Sequence, residues 1–76
     1  MEKAYILVSC EVGKEQELAE KLERIDEVSQ VTITYGDYDI VVEAEANDAK
    51  MIDSVITSKI RKLEKIRSTI TLKVTI

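Results

Sequence analysis

The sequence has no histidine, no proline and no tryptophan, a single cysteine (Cys10) and only two glycines, Gly13 and Gly36. Without histidine it lacks the commonest general base and the commonest metal ligand together. One cysteine cannot close an intramolecular disulfide, and no Cys/His cluster exists for zinc. No run of about 18 apolar residues occurs to span a bilayer. The start, Met1-Glu2-Lys3-Ala4, lacks the apolar stretch of a signal peptide, so the chain reads as cytoplasmic. There is no G-x-G-x-x-G or Walker-type loop, and no cofactor is implied. Positive charge is also scarce: 11 Lys+Arg stand against 15 Asp+Glu, a net charge of −4. That balance argues against direct nucleic-acid binding, which needs clustered cations for phosphates.

What is present suits a globular domain. Of 76 residues, 45% are hydrophobic and 34% charged, with many Ile and Val. Residues 1–76 read as one domain, with no room for an appended DNA-binding unit. A core this small rarely supplies more than ~3–5 kcal/mol. With disulfide and metal excluded, assembly with other copies is the remaining source of stability. A Glu/Lys-rich composition with only Gln16, Gln30 and Asn47 as amides points to a thermophile.

Periodicity gives the elements. From Ala4 to Val12, the apolar set Ala4, Ile6, Val8, Cys10 and Val12 alternates with Tyr5, Leu7, Ser9 and Glu11, which predicts a strand. Gly13 ends it. Leu18, Ala19, Leu22 and Ile25 then recur at helical spacing, with Glu15 and Glu17 in the first turn, where the helix dipole favours acids. Val31, Ile33 and Tyr35 alternate with Thr32 and Thr34. After Gly36-Asp37, the set Tyr38, Ile40, Val42 and Ala44 alternates with Asp39, Val41 and Glu43, so the two runs predict a tight hairpin. Asn47 and Asp48 are candidate N-caps for a helix carrying Ile52, Val55, Ile56, Ile60 and Leu63 on one face. Ile70, Leu72, Val74 and Ile76 then alternate with Thr69, Thr71, Lys73 and Thr75.

The order βαββαβ predicts an α+β ferredoxin-like plait: a four-stranded antiparallel sheet with two helices on one face. The fully apolar sets are expected to face the helices. The other face would carry Tyr5, Leu7, Thr32, Thr34, Val41, Thr69 and Thr71. It is too apolar for a solvated surface, so a second copy's sheet is expected to cover it as a homodimer.

Catalytic groupings are scarce. Cys10 falls on the core-facing side, as a small buried residue would. Glu43 and Glu45 read as solvated acids near a strand end. Lys59, Arg61, Lys62 and Lys65 complement a helix C-terminus. The exception is Tyr35-Gly36-Asp37-Tyr38-Asp39, where two acids, two aromatics and a glycine meet in five residues. An aspartate accepts hydrogen bonds from an ammonium, and the amides of a tight turn donate to a carboxylate. The pair suits an α-amino acid zwitterion. A plain solvated Gly-Asp turn accounts for the spacing too, and spacing alone favours it.

The run from Val28 through Ala44, with a Gly-x-Tyr-Asp hairpin and an apolar strand, and the helix entering a Thr-x-Thr strand near Leu63–Thr71, resembles the ligand-binding (RAM) domain of the Lrp/AsnC transcriptional regulators. The resemblance covers essentially the whole chain. It implies dimerisation through the sheets into a dimeric α+β barrel, and assembly of four dimers into an octameric ring. It implies amino-acid binding between neighbouring dimers near the hairpin, with Gly36 contributing its backbone and Asp39 its carboxylate. Asp37 and Tyr38 follow in the loop, Thr69 and Thr71 match the Thr-x-Thr positions, and Thr34 is a neighbour. Full regulators carry a helix-turn-helix domain ahead of this one. None is seen here, so the chain is expected to be a stand-alone module acting through a full-length Lrp/AsnC-type partner. The Leu63–Arg67 segment lacks the glycine often found there, so its turn must be built differently. The competing functions are a small dimeric α+β barrel enzyme of the monooxygenase type and an oligomerisation module that binds no ligand.

Overall fold

The computed structural model describes residues 1–75. Strand β1 (Glu2–Cys10) leads to helix α1 (Glu15–Glu23). Strands β2 (Val28–Ile33) and β3 (Ile40–Ala46) follow, then helix α2 (Ala49–Val55), and β4 (Ile66–Lys73) closes the fold. All strand pairs are antiparallel, in the order β2-β3-β1-β4. This is the expected plait. Helix α1 packs over β2 and β3, and α2 over β3 and β1.

The core lies between helices and sheet. Ala4, Ile6 and Val8 of β1 and Ile40, Val42 and Ala44 of β3 are fully buried there, against Leu18 and Leu22 of α1 and Ile52 and Val55 of α2. Burying one such aliphatic side chain is worth ~1.5–3 kcal/mol. Asp48 caps α2 as the sequence suggests: its carboxylate accepts the Met51 N–H at 2.8 Å. Among the described residues no helix is long and apolar enough to cross a membrane.

Several expectations need correction. The first strand stops at Cys10, and Val12, expected in the core, is 90% exposed. Its pairing with β4 slips at Ser9/Cys10, and the chain then turns through Gly13 at φ +83°, with Lys14 N–H bonded to the Glu11 carbonyl. Tyr35, placed with the core set, is fully exposed. The helix expected to run smoothly to Leu63 leaves the α-form at Ile56. It widens into a π-helical turn over Ile56–Ile60, closed by Arg61 N–H to the Ile56 carbonyl at 2.9 Å.

The largest correction is β4, whose faces are the reverse of those expected. Register pairs Thr71 with Ile6 and Thr69 with Val8, so the threonines face the helix side. Ile70 pairs with Leu7 and Leu72 with Tyr5, on the open side. Neither helix packs squarely over β4, so its aliphatic set gains nothing on that side. The open face is therefore more apolar than the sequence suggested: Tyr5, Leu7 and Val41 are joined by Ile70 and Leu72, which are 42% and 50% exposed. Ile76 lies outside the described residues.

Candidate functional site

The β2–β3 connection spans residues 34–39, not the two-residue turn that Gly-Asp suggests. Thr34 pins both its ends: its N–H donates to the Asp39 carbonyl at 2.8 Å, and its hydroxyl to the Tyr38 carbonyl at 2.7 Å. Gly36 takes φ +137°, a region L-residues rarely enter. The N–H groups of Tyr35, Gly36 and Asp37 make no hydrogen bond with other described residues.

Asp39 joins this loop to the middle of the sheet. Its N–H donates to the carbonyl of Val8, the residue of β1 already in register with Ile40. At the next rung the backbone has diverged, and an Asp39 carboxylate oxygen accepts the Cys10 N–H at 2.9 Å. The side chain thus completes a hydrogen bond that the strand can no longer make. One carboxylate oxygen is committed to the fold.

Above this junction lies an open cleft of about 670 Å³, lined by Glu15, Gln16, Ile33, Thr34, Tyr35, Gly36 and Asp39. The end of β2, the β2–β3 connection and the start of α1 build it. Lys14, at the helix N-cap, supplies no side-chain cap to the first amides. Two carboxylates and no cation line the cleft, so its field is negative. At the nearby Cys10 thiol, burial first and then the Asp39 and Glu15 charges raise the pKa above the usual thiol value.

Of the expected site residues, Thr34, Gly36 and Asp39 come together in this cleft. Asp37 and Tyr38 belong to the same loop but do not line it. Thr69 and Thr71 do not line it either, because β4 lies two strands away from β3. Thr71 lines a separate, smaller cleft. Glu15, Gln16 and Ile33 were not expected here, and Tyr35, part of the segment singled out in the sequence, was not expected to line the site. Glu15 had a local explanation in the helix dipole, and only the packing of α1 over the hairpin brings it to Asp39. Glu43 and Glu45, read from the sequence as solvated acids near a strand end, both approach the Lys3 ammonium, at 3.1 and 3.9 Å.

Residues 3–75 match the family of Lrp/AsnC ligand binding domains. The HTH-type transcriptional regulator FL11 of Pyrococcus furiosus is 33% identical over 73 residues, which is 93% of this chain and 48% of that protein. The chain spans about half the length of the curated relatives it matches. A crystal structure of a hypothetical protein from Pyrococcus horikoshii superimposes with a TM-score of 0.94 at 39% identity, covering 100% of this chain and 92% of that one. The structure of E. coli AsnC superimposes at 0.91 with 26% identity, covering 99% of this chain and 51% of that one.

Proposed function

This chain belongs to the Lrp/AsnC ligand-binding domains, and from that premise we propose that it is an effector-binding module: an α-amino acid occupies the hairpin cleft and changes how copies of the chain assemble. The relatives are transcriptional regulators, and the proposed setting is transcription regulation through a partner regulator.

The observation that carries this reading is the pairing of opposite chemistries in one cleft. Asp39, with one oxygen uncommitted, and Glu15 supply acceptors for an α-ammonium. The unengaged N–H groups of Tyr35 and Gly36 supply donors for an α-carboxylate. The cleft is open on the side where Tyr35 stands fully exposed, and a neighbouring dimer closing over it would complete the pocket. In that arrangement ligand and assembly are coupled, because the ligand favours the form in which the cleft is closed. A ligand with equal affinity for both forms would shift nothing.

The apolar open face of the sheet is the proposed dimer surface, and four such dimers closing into a ring is the proposed larger assembly. Calorimetry over the twenty amino acids tests the site. At least one should bind, and Asp39→Asn should weaken it by ~1.5–3 kcal/mol, the worth of a hydrogen bond to a charged group. No heat with any amino acid, or an unchanged affinity in the variant, would overturn the assignment.

A further inference from the structure

The hairpin cleft carries more negative charge than a neutral amino acid can offset. Most of its polar side chains are already engaged. The Thr34 hydroxyl donates to the Tyr38 carbonyl, the Gln16 amide donates to Glu20 along the helix, and one Asp39 oxygen holds the Cys10 N–H. Glu15 is different. It is half-buried, lines the cleft, and its carboxylate makes no hydrogen bond or ion pair among the described residues. Lys14, the cation beside it in sequence, does not line the cleft. The helix dipole favours an acid in this first turn, but it does not require one that lines the same cleft as Asp39.

Net charge then selects among ligands. A zwitterion with a neutral side chain brings one ammonium and no net charge, so the two carboxylates stay uncompensated. An acidic side chain adds a third negative charge. A basic side chain brings a second cation, and a lysine ammonium keeps its charge at neutral pH. The cleft also has a surface for the stem that carries such a cation. Ile33 is 45% exposed and Tyr35 fully exposed, and both line it. Surfaces of this kind take up methylenes while the charged head reaches a partner, and an open tyrosine ring attracts a cation over its face.

We propose that the ligand is a basic amino acid with a methylene stem and a terminal cation. Asp39 and the Tyr35 and Gly36 amides hold its zwitterionic end, Ile33 and Tyr35 flank the stem, and Glu15 receives the side-chain cation. This rests on the amino-acid reading of the cleft and adds the class of side chain that the cleft selects, with Glu15 as the residue that selects it.

Titration calorimetry with lysine, norleucine, Nε-acetyl-lysine and glutamate, at one pH and ionic strength, tests the assignment. Norleucine has lysine's stem without the ammonium, and Nε-acetyl-lysine keeps the length without the charge. Lysine should bind about tenfold tighter than either or better, the scale of one hydrogen bond to a charged group, and glutamate should bind weakest. In Glu15→Gln the advantage of lysine over norleucine should shrink to about twofold or less. Norleucine or Nε-acetyl-lysine binding the parent chain as tightly as lysine, or an undiminished preference for lysine in Glu15→Gln, would overturn the proposal while leaving the amino-acid site in place. No binding by any of the twenty amino acids would overturn the site itself. Thermal unfolding establishes that Glu15→Gln is folded, and the ligand series on the parent chain decides the side-chain class without any variant.

Discussion

Replacing Asp39 should separate two roles that one side chain performs. Its carboxylate accepts the Cys10 N–H at 2.9 Å, and Cys10 is only 3% exposed. Asp39→Ala removes the acceptor and leaves a donor in a central strand without a partner. Stranding such a group costs ~1–3 kcal/mol. For a domain of this size each kcal/mol moves Tm by ~4–8 °C, so a fall of roughly 5–20 °C is expected. Asp39→Asn keeps an oxygen in the same place and loses only charge assistance. A charge-assisted bond exceeds a neutral one by ~1 kcal/mol, so its Tm should fall by about 5 °C. Amino-acid binding should respond differently: both variants lose the negative charge that faces the ammonium, so both should bind weakly. Thermal unfolding at fixed protomer concentration, which keeps assembly from shifting Tm, measures the first effect and calorimetry the second. An alanine variant as stable as the parent would refute the bridging role, and an asparagine variant that binds normally would refute the ligand role.

Other substitutions probe the rest of the fold. Lys65 sits at φ 79°, where a Cβ costs ~1–2 kcal/mol and glycine gives back ~0.5–1 kcal/mol in chain entropy. Lys65→Gly should therefore raise the urea midpoint by the equivalent of ~0.5–1 kcal/mol, and a lower midpoint would contradict this. Thr71→Val should raise Tm because it removes the buried hydroxyl that lacks a partner; a lower Tm would mean that the hydroxyl is satisfied. Leu72→Asp puts a charge on the apolar open face and should shift sedimentation toward the monomer, whereas an unchanged dimer would place the interface elsewhere. Glu27 accepts a 3.0 Å hydrogen bond from Lys59, which holds its pKa below the usual glutamate value. Its contribution is complete above the unfolded-state pKa and is lost as pH falls through the lower folded value. Glu27→Gln should thus show a shallower loss of stability on acidification, and an identical acid limb would remove the pair from the account.

Much of the fold was legible because alternation and helical spacing are local. The buried sets of β1 and β3, both helix faces and the Asp48 cap could all be read directly. The facing of β4 could not. Alternation divides Ile70 and Leu72 from Thr69 and Thr71, but which pair meets the helices depends on register with β1 and on where α2 packs. The π-helical turn has no periodic signature in a five-residue stretch. The turn without its usual glycine was visible as an absence, and the structure answers it with Lys65 at positive φ. In the hairpin, the segment that departed from plain scaffold chemistry did mark the cleft. Its partners Glu15 and Gln16 stayed hidden because they come from another element, some twenty residues earlier in the chain. The tie from Asp39 to Cys10 was hidden for the same reason.

The central claim is that an amino acid in the hairpin cleft changes the assembly of this chain. Sedimentation velocity with and without the amino acid that calorimetry identifies tests it most directly. A ligand-dependent shift in sedimentation coefficient is expected, abolished in Asp39→Asn at the same ligand concentration. Identical distributions with and without saturating ligand would contradict it.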